Sequence, residues 1–343
     1  MKKALTLLVL GILLVIPLFI TNPYTLHSFI MILLFAYLAS AWNIVGGYAG
    51  QLSLGHASFL AIGAYTSTLF YTYLNLTPWI GLIVGGIFAA LIAVLIGIPS
   101  FRLKGAYYSL ATLAFAEGFR RLLESVHTVK GINFGGAEGI AVPLKMDAAF
   151  VDFQFLSKVP YYYIILFFLI AISTIIWWIE NSKLGYYLTA IREDEEAAKA
   201  LGINTRNVKL YAAGLSAFFT AIGGSFFAQL VRYLEPHSIA GFDLSAQMVF
   251  LAIIGGMSTV YGPTFGAFLL VALGEYLRAS FSDIIPGLHL IIYGLAVILV
   301  ILYYPKGVFV AIRDKFAKSS TGKKLNLMDY IPFSRRRKTD GTT

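Results

Sequence analysis

Few residues in this 343-residue chain have the type and spacing to do chemistry. His56 lies in a glycine- and serine-rich run, GGYAGQLSLGHASFLAIGA, shortly after Gln51 and Ser53. A histidine with no companion acid or cysteine fits a hydrogen-bonded packing role better than a metal ligand or proton carrier. Glu117 and Glu275 are carboxylates set among apolar residues, and Glu275 has Arg278 at helical i, i+3 spacing, where the two neutralise each other. None of these groups has a second acid, a metal-ligand cluster or a nucleophile and base beside it, so the sequence contains no catalytic constellation and predicts no enzyme. Cysteine is absent, which excludes disulfides and thiolate metal sites. No G-x-x-x-x-G-K-[ST] loop occurs, so this chain does not hydrolyse ATP in the P-loop manner, any energy it uses comes from another protein or from an ion gradient, and no cofactor or metal is expected on it.

The remaining chemistry is that of docking. Ala190 to Val208, AIREDEEAAKALGINTRNV, concentrates charge and alanine between long apolar segments. Read as a helix, Glu193 to Leu201 places acids in its first turns and Lys199 near its end, which complements the macrodipole. Gly202 supplies the stop, and Asn204 and Thr205 are cap-type residues for the next helix, whose apolar body runs from Leu210 to Leu230. A short polar helix tied at both ends to membrane-embedded segments is built to touch a partner in the cytoplasm.

The elements that hold it are those of a membrane protein. With 58% hydrophobic and 13% charged residues and a mean hydropathy of +0.78, the chain is no soluble domain, in which about 25% of residues are charged. The net charge of +9 lies largely in loops and in the tail from Lys306 through Arg335, Arg336, Arg337 and Lys338. There it sets orientation and attracts anionic lipid, and nucleic acid is not an expected partner. Lys2 and Lys3 ahead of Ala4 to Ile20 imitate a signal peptide, but TNPYT offers no small-x-small cleavage site, so the stretch reads as an uncleaved first span.

Apolar stretches long enough to cross run from Ala4 to Ile20, Leu26 to Val45, Ser58 to Leu74, Trp79 to Ile98, Tyr161 to Ile179, Leu210 to Leu230 and Ile284 to Tyr304. Gly105 to Leu123, Leu244 to Met257 and Val260 to Leu277 are weaker or interrupted. Keeping the basic segments on one side predicts an all-α polytopic membrane protein of about ten passages, with both termini cytoplasmic. Arg120 and Arg121 fall at the outer end of the fifth passage, where they snorkel, pair with Glu117 or Glu124, or mark a segment that is no simple span. The reading divides the chain into a membrane domain over 1–304, a coupling loop over 181–209, an extracytoplasmic loop over 125–160 that folds against the outer face, and a basic cytoplasmic tail over 305–343.

Two of the segments are broken. Gly46, Gly47, Gln51, Ser53 and His56 interrupt the second and third stretches, and Gly255, Gly256 and Thr259 interrupt a later pair. Such backbone cannot face lipid, so it lines a cavity or packs inside the bundle, and paired breaks point to a translocation pathway in an internal repeat. Small-residue helix packing explains the same glycines equally well.

Three segments, NIVGGYAGQLSLGHASFLAIGAY at Asn43 to Tyr65, AIREDEEAAKALGINTRNVKLYA at Ala190 to Ala212 and IGGMSTVYGPTFGA at Ile254 to Ala267, resemble the permease subunits of branched-chain amino acid ABC importers. RLKGAYYSLATLAF at Arg102 to Phe115 and GGAEGI at Gly135 to Ile140 resemble the longer, M-type subunit of the leucine/isoleucine/valine system. Glu196, Ala197 and Ala198, followed by three residues and Gly202, resemble the E-A-A-x-x-x-G signature of ABC permeases, whose loop docks in a groove of the ATPase. The resemblance implies coupling through Glu193, Glu196, Ala197, Ala198 and Gly202. It also implies a second homologous permease, two cytoplasmic ATPases that hold ATP and magnesium, an extracytoplasmic binding protein, and a place in a prokaryotic inner membrane. The substrate it implies is a branched-chain amino acid, although urea and short-chain amide permeases look alike over the same segments. The rival from another class is an ion-coupled secondary transporter, which would have to work through Glu117, Glu275 or His56.

Overall fold

In the computed structural model, which describes residues 2–20, 22–145, 150–281 and 287–319, every stretch expected to cross contains a helix. α1 (Lys2–Phe19) leads into α2 (Pro23–Asn43), which starts where Asn22 Oδ1 accepts the Tyr24 N–H at 2.9 Å and Pro23 occupies the first turn. α2 runs on into a π-helical turn, Ile44–Tyr48. After an extended link come α3 (His56–Leu74), α4 (Pro78–Ser100) and α5 (Ala106–Ser125). α6 (Val159–Glu180) is followed by the short α7 (Lys183–Glu193) and α8 (Glu195–Ala200), and then by the 27-residue α9 (Thr205–Val231). α10 (Pro236–Ile239), α11 (Phe242–Gly255), α12 (Gly262–Phe281), α13 (Leu288–Tyr303) and α14 (Val308–Ser319) complete the order. The start of the last expected stretch at Ile284 and the cluster Arg335, Arg336, Arg337 and Lys338 lie outside the described residues.

The expected ten passages are not matched by ten lipid-worthy helices. Six helical segments among the described residues are long and apolar enough to cross, and a seventh is gained only if 290–303 and 308–315, bent by 44°, count as one. The difference at α5 has a physical cause, because Glu117, Arg120, Arg121 and Glu124 crowd its last two turns. Those charges pair along the helix: Arg120 Nη2 lies 2.5 Å from Glu117, Arg121 Nε 2.9 Å from the same carboxylate, and Arg120 also reaches Glu124.

α2 is apolar on every side and is buried along nearly its whole length, as such a helix must be. It lies between α9, α6, α11 and α12, while α3, α4 and α9 form the tightest group. Glycine sets that spacing. A Cβ on Gly63 of α3 would stand 2.0 Å from the Ala221 carbonyl of α9, and one on Gly224 would stand 1.9 Å from that of Leu60.

Residues 126–145 and 150–158 fold onto the opposite end of the bundle from α8. β1 (Thr128–Val129) pairs with β2 (Ile132–Asn133), and β3 (Ile140–Ala141) pairs with β4 (Tyr233–Leu234) just beyond α9. Phe153, fully buried, stacks on Trp79 at 4.2 Å between ring centres and meets Tyr161 and Phe226.

Candidate functional site

The charged stretch folds as two helices rather than one. Glu193 is the last residue of α7, and the Asp194 carboxylate accepts the N–H groups of Glu196 and Ala197 at 2.9 and 3.0 Å, so α8 starts later than the sequence suggests. Its end follows expectation. Gly202 adopts φ +84°, the Gly202 N–H donates to Lys199 and the Ile203 N–H to Ala198, which is the Schellman pattern. Asn204 then caps α9 by accepting the Asn207 N–H at 3.1 Å.

α8 is latched to its own chain. Glu195 accepts from Lys209 Nζ at 2.8 Å and from Thr205 Oγ1 at 3.1 Å, and Lys199 lies 3.4 Å away. The Lys209 side chain is only 2% exposed and also lies 5.3 Å from the centre of the Phe101 ring. Burial pushes the Glu195 carboxyl up, but the hydrogen bond and charge of Lys209, with Lys199 and Thr205, outweigh it and hold the group below its usual value. Glu196 is held down by Lys104, 2.8 Å away, and by Lys199.

Ala198 faces inward and is 2% exposed, so it packs under α8 rather than presenting itself to a partner. Glu193, Glu196, Ala197, Leu201 and Gly202 make the outward face, with Leu201 82% exposed. Leu201 thus stands as a large apolar side chain in water at the end of α8, among charged neighbours. The sequence motif does not distinguish Ala197 from Ala198, because only the roll of the helix does so.

The two breaks meet. Asn43, the last residue of α2, accepts the Ser258 N–H at 3.0 Å through Oδ1 and donates from Nδ2 to the Thr259 carbonyl at 3.1 Å. Ser258 Oγ donates to the Gly47 carbonyl at 2.6 Å. Gly47 has no room for a side chain, because its Cβ would lie 1.9 Å from Asn43 Oδ1, and Gly46 is covered by the Trp42 ring. Thr259 closes its own loop, donating to the Gly256 carbonyl at 2.8 Å and accepting the Gly262 N–H at 3.0 Å. Gly255 is crowded by the Gly262 carbonyl at 1.9 Å from its would-be Cβ. Gly46, Gly47, Gly255, Gly256 and Thr259 therefore form one junction.

Ser53 and His56 belong to a second place. They border a narrow cavity of ≈ 20 Å³ with Phe59, Tyr108, Thr112 and Phe115, room for a water but not for a leucine side chain. Ser216 Oγ donates to the Ala41 carbonyl at 2.7 Å, so it accepts from His56 Nε2 at 2.8 Å, and Nδ1 pairs with Ser53 Oγ at 3.0 Å. Both ring nitrogens are engaged. Among the described residues no group of three or more acids and histidines could hold a metal ion.

Polar residues that the sequence reading passed over satisfy the unwound backbone between 49 and 56, as a lipid-excluded break requires. Trp42 Nε1 donates to the Ser53 carbonyl at 2.8 Å and Ser109 Oγ to the Leu52 carbonyl at 2.7 Å. Thr112 Oγ1 accepts the Leu54 N–H at 3.0 Å, and Ser245 Oγ accepts that of Ala57 at 2.9 Å. Gln51 turns back to the Ala49 carbonyl at 3.4 Å. The only sequence signal was Ser and Thr at i, i+3 on α5, a spacing that puts both on one face.

The sequence that folds in this way has known relatives. The profile of the family described as branched-chain amino acid transport system / permease component matches residues 24–301. The chain belongs to this family. The permease is 29% identical over 324 residues to the high-affinity branched-chain amino acid transport system permease protein LivM of Escherichia coli (strain K12), covering 89% of this chain and 75% of that one. It is 28% identical over 337 residues to LivM of Salmonella typhimurium, covering 93% and 78% of the two chains. LivH of Salmonella typhimurium is 24% identical over 294 residues, 80% of this chain and 90% of LivH. No solved structure matches the permease.

Proposed function

We propose that this permease is the membrane-spanning subunit of an ABC importer that carries branched-chain amino acids inward, driven by ATPases on separate chains. The observation that carries the reading is the geometry of α8. Its inner face is latched through Glu195 and Ala198, and its outer face offers Leu201 among Glu193, Glu196 and Ala197. The similarity to both LivM and LivH supports pairing with a second, homologous permease. ATPases and an extracytoplasmic binding protein complete the assembly in this reading.

Ion coupling is disfavoured on specific grounds. His56 has both ring nitrogens engaged by serines, Glu117 is held by Arg120 and Arg121, and Glu275 lies 3.2 Å from Arg278 and accepts from Ser28 at 3.1 Å. A pathway with few free charges suits a zwitterion with an apolar side chain. In this reading α1, α3 and α5 also cross, which gives ten passages with α8 and both termini in the cytoplasm, and α3 is tolerated because His56, Ser58, Ser67 and Thr68 face protein. The ≈ 20 Å³ cavity then belongs to an occluded state that widens during transport.

The test is uptake of radiolabelled leucine, urea and acetamide into vesicles holding the complex that co-purifies with the tagged chain. Vanadate-sensitive leucine uptake that requires ATP is the expected result. Uptake by the chain alone down an ion gradient, or selective uptake of urea or acetamide, overturns the reading.

A further inference from the structure

Arg192 is the penultimate residue of α7, three residues before the start of the helix that faces the cytoplasmic partner in the reading above, and its side chain reaches back toward the breaks. Nη1 donates to Ser258 Oγ, while Nε and Nη2 donate to Glu193 Oε1 at 3.2 and 2.6 Å. Ser258 Oγ in turn donates to the Gly47 carbonyl at 2.6 Å, and the Ser258 N–H donates to Asn43 at 3.0 Å. One guanidinium is thus two hydrogen bonds from the backbone of the π-turn after α2, and one from the break between α11 and α12. The covalent frame of α7 is there as well. A Cβ on Gly50, which sits at φ +67°, would meet Arg192 Cγ at 2.8 Å, Cβ at 3.4 Å and Cα at 3.5 Å, so the helix bears directly on the unwound link between α2 and α3.

We propose that Arg192 is the positioning residue through which movement of the α7–α8 element reaches both helix breaks at once, with Ser258 as the shared contact. The proposal rests on the functional reading above and adds to it the point of transmission. The chemistry suits the task. A guanidinium has donors in a planar fork and bridges Glu193, on the docking side, to Ser258, on the membrane side, without giving up either. Ser258 cannot follow α7 without pulling on Gly47 and Asn43, because its hydroxyl and its amide are both committed. The link between α8 and α9 through Glu195 and Lys209 fixes the docking helix to the bundle but touches neither break. Arg192, by contrast, joins α7 to both breaks through the one Ser258 hydroxyl.

The experiment uses the complex in vesicles and takes advantage of a chain without native cysteine. Leucine imported per ATP hydrolysed is measured for Arg192→Gln, Arg192→Lys, Ser258→Ala and the Arg192→Gln/Ser258→Ala double variant. Maleimide labelling of a Met257→Cys reporter, 41% exposed at the break, is compared with and without ATP plus vanadate. Arg192→Gln and Ser258→Ala are each expected to lower import per ATP about tenfold, the double variant no further, with the nucleotide-dependent change at position 257 lost. Arg192→Lys keeps a charge but not the fork, and should fall between.

A complex with Arg192→Gln whose import per ATP and labelling change match wild type overturns the proposal, as does additive loss in the double variant. If Arg192→Gln fails to assemble, Ser258→Ala and Arg192→Lys decide by the same criteria. Wild-type complex that imports leucine without ATP overturns the functional reading and the inference together. Wild type that imports normally with no nucleotide-dependent change at position 257 overturns the inference alone.

Discussion

Lys209 heads a 27-residue helix where a lysine ordinarily extends to water, yet its side chain is only 2% exposed and its charge is met by Glu195. Removing the acid strands a buried ammonium, so Glu195→Gln is expected to destabilise the fold by about 2–4 kcal/mol, the lower part of that range reflecting the partial exposure of Glu195. Glu195→Gln/Lys209→Met should recover much of the loss, since an uncharged side chain of similar length needs no partner. Thermal unfolding of the detergent-solubilised variants measures both. The pH dependence has a definite sign. Because the folded Glu195 carboxyl lies below its ordinary value, its stabilisation is complete above about pH 4.3 and fades as pH falls through the lower folded value. Amide exchange over 196–203, corrected for intrinsic rate, should show protection that holds from neutral pH and is lost only in that acid range. Nothing in the sequence distinguishes Lys209 from a charge in the cytoplasmic loop, because its burial depends on where Phe101 and Glu195 end up in three dimensions.

At the scale of elements, the glycines divide by what they do. Gly202 meets nothing within 4 Å and is needed only for its left-handed φ, whereas Gly63 is needed for the approach of α9. Gly202→Ala should cost about 1 kcal/mol and leave insertion intact, while Gly63→Ala should cost about 1–3 kcal/mol by forcing α3 from α9. Chemical unfolding monitored through tryptophan fluorescence separates them, and equal losses would contradict the assignment. The helices themselves were legible because long apolar runs, Pro at first turns and the Gly202–Asn204 boundary all act locally. The onset of α8 was displaced because Asp194, read as part of its first turn, caps it instead and leaves Glu193 at the end of α7. The breaks were legible as breaks, but their meeting was not, since Asn43 to Thr259 spans 216 residues of chain. The same limit hid the split between the junction and the His56 cavity, which the sequence presents as one run.

At the scale of the whole molecule, helix α14 brings the C-terminal segment back to the junction. A Cβ on Gly307 would lie 2.4 Å from Gly256 Cα, and Val310 Cγ2 lies 2.9 Å from the position a Gly256 side chain would take. The segment read as tail from 305 therefore includes residues that cover the second break. Deleting 305–343 is expected to reduce leucine uptake about tenfold or more relative to deleting 320–343, with both proteins quantified in the membrane. Equal uptake by the two truncations would show that α14 is dispensable.

α9 begins at the Lys209 latch and ends under the stacked rings of Trp79, Phe153 and Tyr161, where Phe226 touches Phe153 at 6.0 Å between centres. Its 27 residues make one unbroken rod of about 40 Å. A tilt of about five degrees about one end would swing the other by about 3.5 Å on a rod of that length. The aromatic cluster and the latch are therefore opposite ends of one stiff element, and a tilt of α9 that leaves one end in place displaces the other.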